Sequence, residues 1–328
     1  MTRSATGGAG RPLLLGVEVG GTTLRVVLAT SPRGVVARRS LPTPAAQGPD
    51  ALVDIIARTA DDLLRETGGA VRAAGAGFAG PLDPRTGVVL DSPHLRAFRD
   101  VPLRSLLEAR LGVPVALDNC ENVAALAEHR FGAGKGVREM VYVAVGTGIG
   151  AGIIHNGRLY HGAHGAAGEV GHMVLLPQGP LCACGKRGCW ESLVSGPAIA
   201  RDARERLAMG DASVLRQLAG GDPARVTSEL VAQAAQSGDA LAREVLARAA
   251  HYLGVGLANV VTALDPEVVV VGGGVAQMGD VLLAPAFAEA RRHMYPFHAQ
   301  RVRLAASALG DSAGVIGGLL MASQLSRR

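Results

Sequence analysis

A chain of 328 residues, 48% hydrophobic and 19% charged, holds enough apolar material for one large or two modest folded units. Its net charge of +5 comes almost wholly from scattered arginines, Lys135 and Lys186 being the two lysines, and short pairs such as Arg38-Arg39 do not form the basic stripe of a nucleic-acid binder. No apolar run of about 18 residues occurs and the opening MTRSATGGAGRP lacks an apolar core, so neither a membrane span nor secretion is expected and the cytoplasm is the expected location.

After a start over 1–12 that reads as flexible, LLLGVEV (13–19) and TLRVVLAT (23–30) read as strands joined by a tight turn at Gly20-Gly21-Thr22, and GVVARRSLP continues as a third strand. ALVDIIARTADDLLRETGG has the spacing of an amphipathic helix stopped by Gly68 and Gly69. A strand over 73–78, a helix near 102–111 and the strand VPVAL complete a first α/β lobe. A second lobe is expected from a helix at 122–131 onward, where MVYVAVGTGIGAGIIHNGRL again pairs two apolar runs across a Gly-Thr-Gly turn. Helices near 196–208 and 227–264, the buried strand EVVVVGGG, a helix, the strand RVRLAAS and a last helix from about 312 follow. The repeated strand, Gly-Thr turn, strand unit predicts two similar α/β lobes facing a cleft: 13–119 plus about 312–328 as the smaller, 120–311 as the larger.

One glycine turn is ordinary turn chemistry, but two in matching positions suit phosphate binding, because glycine lets backbone N–H groups approach an anion and threonine adds a hydroxyl. The candidates are Gly20, Gly21, Thr22 and Thr23 in the first turn and Gly146, Thr147 and Gly148 in the second, with Gly272, Gly273 and Gly274 placed for close approach of a nucleotide. Glu18, just before the first turn, suits a magnesium ion held through water. GTGIGAG leads into a strand where a dinucleotide fingerprint leads into a helix, and GAGKG lacks the Ser or Thr that follows a phosphate-loop lysine; neither motif is taken as functional. His172, Cys182, Cys184 and Cys189 offer one imidazole and three thiols in a glycine-rich loop. That donor set closes a tetrahedral site with no place for a catalytic water, so a structural zinc is expected, one that fixes Glu169, His172 and Glu191.

VEVGGTTLR, GFAGPLDPRTG, DNCENVAALAE, the glycine pattern leading to GEVGH, CACGKRGCWES, VVVVGGGV and ALGDSAGVIGG together resemble the ROK family of sugar kinases and repressors, over nearly the whole chain from residue 13. The resemblance implies an actin-like, hexokinase-type (ribonuclease H-like) fold with an interlobe cleft, Mg-ATP at the glycine turns, and a sugar held by Gly80, Asn119, Glu169, His172 and Glu191. It implies a glucokinase-like kinase acting on small molecules as a homodimer or homotetramer. Family repressors carry an added helix-turn-helix domain, for which the residues before Leu13 leave no space, so specific DNA binding is not expected.

DNCENVAALAE departs from the family's pattern at one residue. Asn119 and Asn122 match its two asparagines, and Cys120 stands where the family has its general-base aspartate. A thiol is a poor base at neutral pH, and Asp118, Glu121 and bound ATP all disfavour its ionisation. If the strand runs on through 120, Asp118 shares a face with Cys120 and is a candidate displaced base, against the simpler reading of a polar strand end with solvated carboxylates. Three readings stay open: a slowed or retuned kinase, a sugar or nucleotide sensor without catalysis, and a reaction with the Cys120 thiol as nucleophile. In SPHLRAF, His94 and Phe98 stand where the family more often has Asn and Trp, which leaves the substrate open.

Overall fold

The computed structural model describes residues 11–90, 92, 95 and 97–327. Its elements begin with β1 (Pro12–Val19), β2 (Thr23–Ala29), β3 (Val35–Pro42), α1 (Gly48–Thr67), β4 (Ala70–Phe78), β5 (Leu82–Asp83), β6 (Val88–Val89), α2 (Leu103–Leu111), β7 (Val115–Asn119) and α3 (Cys120–Phe131). There follow β8 (Met140–Val145), β9 (Ile149–His155), β10 (Arg158–Leu159), α4 (Trp190–Val194), α5 (Gly196–Ala208), α6 (Leu215–Leu218), α7 (Ser228–Gln236) and α8 (Ala240–Leu264). The chain closes with β11 (Val268–Gly272), α9 (Asp280–His293), α10 (Pro296–Ala299), β12 (Arg303–Ala306) and α11 (Ala313–Leu325).

Two compact units divide the chain, one of Met1–Ala127, His164–Ala166 and Ser312–Arg328, the other of Glu128–Ala163 and Ala167–Asp311. The sequence places this division before Cys120; it falls inside α3, after Ala127. The first turns of α3 stay with the first unit because α11 packs on them: a Cβ on Gly317 would lie 1.9 Å from the Val123 carbonyl oxygen. The stretch 227–264 is two helices, interrupted where Gly238 takes φ +96° and Asp239 caps α8 by accepting the Ala242 N–H at 2.9 Å.

Each unit holds one five-stranded mixed sheet, ordered β3-β2-β1-β4-β7 in the first and β10-β9-β8-β11-β12 in the second. In both, a three-stranded antiparallel meander is extended by two parallel strands, so the duplication hinted at by the paired Gly-Thr turns extends to the whole sheet.

In the first unit β1 is buried on both faces, which is why it reads as a continuous apolar run. Leu13, Leu15, Val17 and Val19 join Leu52, Ile56 and Leu63 of α1, and Leu14 joins Val315, Leu319 and Ala322 of α11. Strand alternation therefore puts Gly16 and Glu18 on the α11 face, and Gly16 lies against Leu319. Phe98 is a core residue, its ring 5.2 Å from that of Phe78, while His94 lies outside the described residues. In the second unit β8, β9 and β11 share a core with α5, α7, α8 and α9. The Glu128 carboxylate, fully buried, accepts the N–H groups of Ala133 (2.7 Å) and Leu309 (2.8 Å), tying the end of α3 to the segment after β12.

Candidate functional site

In the first unit the β1–β2 turn is closed by the Gly20 N–H donating to Thr23 O at 2.9 Å, and the Thr43 hydroxyl donates to Gly20 O at 2.7 Å. Glu18, at the last inward-facing position of β1 on the α11 side, is paired with Arg25 across the strands at 3.0 Å. A Cβ on Gly314 would come within 2.5 Å of the Glu18 carboxyl carbon, so the first turn of α11 makes room for that carboxylate by having no side chain there.

At the other edge of this unit β7 ends on Asn119 and α3 begins on Cys120. Asn119 caps the helix: its Oδ1 accepts the Glu121 N–H at 2.8 Å, and its Nδ2 donates to Gly80 O at 3.3 Å. The strand therefore stops short of Cys120, and Asp118 does not share a strand face with it. Asp118 is buried, and its Oδ1 accepts the Asn119 N–H and the Asn122 Nδ2, each at 2.8 Å, which makes it a brace of the strand-to-helix corner. Cys120 is half-buried, with Sγ donating to Val19 O at 3.5 Å. Burial first, then the carboxylates of Glu121 and Glu18, push its thiol well above the ordinary range, against the pull of Arg25.

In the second unit a cavity of about 440 Å³ opens between Gly146-Thr147 and Gly274-Val275, and is completed by Gly196, Pro197, Ala200, Arg204, Thr227, Ser228 and Glu229. A Cβ on Gly274 would meet nothing within 4 Å, and one on Gly146 would meet only Gly274 N at 3.9 Å, so side chains here would fill the cavity and not the core. Gly148 closes the turn by accepting the Gly146 N–H at 2.9 Å. Gly273 and Gly272 stand behind the cavity wall: Gly273 takes φ +87° and its Cβ would strike Val145 O, and a Cβ on Gly272 would strike the Tyr142 hydroxyl. The residues from α5 and the start of α7 escaped the sequence reading, their one local signal being the helix caps Ser195 and Thr227.

The same unit gathers the predicted thiols. His172 Nδ1 lies 3.7 Å from Cys182 Sγ, Cys184 and Cys189 sulfurs are 3.6 Å apart, and one donor atom from each of the four lies within 4.8 Å of the others. Three sulfurs and one imidazole at this spacing fit a tetrahedral, borderline-soft ion such as zinc. The loop also brings the predicted polar residues together. His172 Nε2 faces Glu169 Oε2 at 3.9 Å, while Glu191 accepts the Ile149 N–H at 3.0 Å and faces Cys182 at 3.8 Å. Burial raises the Glu169 carboxyl, opposed by His172 and reinforced by Glu191.

The model of the ROK family matches residues 14–325. The chain belongs to the ROK family. It is 37% identical over 308 residues to a glucokinase of Halalkalibacterium halodurans, covering 93% of each chain. A putative xylose repressor of Caldicellulosiruptor sp. is 31% identical, with 94% of this chain and 77% of the repressor covered. Among solved structures, a ROK family glucokinase from Streptomyces griseus in complex with glucose and AMPPNP superposes with a TM-score of 0.86 at 34% identity, covering 95% of this chain and 99% of that one. ROK members thus include kinases and repressors, and the two-unit α/β fold with mixed sheets is the ROK glucokinase fold.

Proposed function

We propose that this chain transfers the γ-phosphoryl group of Mg-ATP to a hydroxyl of a hexose or hexose-like sugar, as a glucokinase-like enzyme slowed or retuned at Cys120. The observation that carries this reading is the Gly146/Gly274 cavity, where bare backbone faces open space in a chain 37% identical to a glucokinase. The backbone N–H groups of Thr147 and Gly148 and of Gly21 to Thr23 are assigned to the phosphates, with Gly20 and Gly146 closing the two turns through their own N–H groups, Gly274 keeping the nucleotide side free of bulk and Gly272 and Gly273 packed behind it. Glu18, oriented by Arg25, is assigned to magnesium through water. Gly80, Asn119, Glu169, His172 and Glu191 are assigned to the sugar hydroxyls. A zinc ion held by His172, Cys182, Cys184 and Cys189 would supply cross-linking of the loop and no reaction chemistry.

In the transfer, the sugar oxygen bonds to phosphorus as the bond to the ADP oxygen breaks, and the hydroxyl proton must leave. The Cys120 thiol, protonated and donating to Val19 O, is a poor acceptor for it. Phosphoryl transfer through a loose transition state depends mainly on positioning and charge stabilisation, so turnover survives at a reduced rate. The same thiol favours a second reading, a sensor that binds sugar and nucleotide without turnover. ATP-dependent phosphorylation across a panel of hexoses, amino sugars and cyclitols decides between them. Product with at least one sugar is expected; none from a folded, zinc-replete chain, together with saturable sugar or ATP binding by calorimetry, would leave the sensor.

The same reading has the chain act in the cytoplasm as a homodimer or homotetramer, on small molecules and not on DNA; among the described residues no helix is long and apolar enough to cross a membrane. Cys189→Ser, or zinc removal by chelation, should weaken sugar binding at least about tenfold through loss of loop positioning. Nucleotide binding should hold, because none of the four ligands lines the Gly146/Gly274 cavity. Calorimetry with each ligand checks the pair, and equal losses for both would contradict it.

A further inference from the structure

Away from these residues, α8 and α9 of the second unit cross at a glycine. A Cβ on Gly254 would lie 2.7 Å from Ala286 O and from Glu289 Cβ and 2.8 Å from Ala290 N, so only glycine permits this approach. One turn earlier on α8, His251 consequently reaches α9, its Nδ1 2.7 Å from Glu289 Oε1. His293, one turn beyond Glu289 on the same face, places Nε2 3.0 Å from the same oxygen. The two imidazoles meet edge to face with centroids 5.9 Å apart, and one donor atom from each of the three side chains lies within 4.8 Å of the other two. Both histidines are nearly half exposed (48% and 44%) while Glu289 is 16% exposed, an anchored carboxylate beneath two accessible rings.

We propose that His251, Glu289 and His293 form a second metal site, for a borderline divalent ion of the zinc class, which clamps α8 to α9. Two imidazoles and one carboxylate suit zinc, nickel or copper, whereas magnesium and calcium require oxygen ligands throughout. Three protein ligands leave a position for water, unlike the closed set at the cysteines. Arg292 pairs with the other carboxylate oxygen, Oε2, at 2.9 Å and is 76% exposed, so an ion bound by Oε1 would replace that oxygen's contacts with the two rings and leave the guanidinium at the solvent edge. The site uses no residue assigned to sugar, nucleotide or the cysteine cluster, and stands apart from the kinase reading.

The test is metal stoichiometry of the full chain, by equilibrium dialysis and zinc calorimetry, for wild type, His293→Ala, Glu289→Gln and His251→Gln. Wild type should bind one zinc equivalent more than each variant, and its thermal midpoint should rise with added zinc where theirs does not. With cobalt as the probe, the extra equivalent should add weak visible bands and no sulfur-to-metal charge transfer. His251→Gln can still donate a hydrogen bond to Glu289 and so separates loss of a ligand from loss of packing. Equal stoichiometry in wild type and all variants, survival of the extra equivalent in His251→Gln, or thiolate charge transfer accompanying it, would overturn the proposal.

Discussion

Cys120→Asp is expected to raise kcat for the best sugar by about 10²–10⁴-fold, the usual worth of a positioned general base. The carboxylate would stand at the first residue of α3, where the helix N-terminus favours a negative charge. KM should change little, because proton acceptance is realised in the transition state. The pH profiles give an independent sign. Of the two forms of Cys120 only the thiolate can accept a proton, and with the thiol held well above its ordinary range the thiolate fraction climbs tenfold per unit across about pH 7 to 9. A wild-type rate that follows this rise, beside a flat profile for Cys120→Asp over the same range, would make the thiol a slow base. A flat wild-type profile with a faster aspartate variant would mean that the proton leaves without a side-chain base. Steady-state kinetics that show no gain in Cys120→Asp would refute the assignment of position 120 to base catalysis.

Gly75→Ala is expected to destabilise the first unit by about 3 kcal/mol or more, lowering its thermal midpoint on the order of 10 °C. The added Cβ would lie 1.9 Å from Gly318 O, 2.8 Å from Gly318 C and 3.0 Å from Ala322 N. These are backbone atoms of α11, so no side chain can move aside and the helix must lift from β4. Gly314→Ala is the control, since the three atoms nearest its Cβ all belong to the end of the Glu18 side chain. It should leave the midpoint within a few degrees while displacing the carboxylate assigned to magnesium. Differential scanning calorimetry of both variants checks the contrast, and equal midpoints would show that α11 shifts freely on the sheet.

Much of this was legible in the chain itself. The β1, β2, β8, β9 and β11 strands are buried runs bounded by glycine turns, and Gly146, Thr147 and Gly274, singled out in the sequence as phosphate-binding candidates, line one cavity of the second unit. The four metal-type ligands also converge as their spacing implied. Three things were hidden, each for a physical reason. Asp118 could be read as sharing a face with Cys120 only by assuming that β7 runs on, and the Asn119 cap ends it. Arg204, Thr227, Ser228 and Glu229 reach the cavity through packing of α5 and α7, which leaves no local chemical pattern. The division within α3 was equally concealed, because the helix is continuous and only its contact with Gly317 shows which unit its first turns serve.

The return of α11 to the first unit also sets an order of assembly. Leu14, Val27, Ala29 and Ala73 form an apolar face that α11 covers with Val315, Leu319 and Ala322. While the chain is on the ribosome, everything from Glu128 to Asp311 emerges before that cover exists, on the order of 10–40 s at about 5–20 residues per second. The nascent first sheet therefore waits with one side bare while the second unit, nearly contiguous in sequence, can already close on itself. Chaperone engagement during synthesis should centre on that waiting face, and a chain stopped before Ser312 should be captured there.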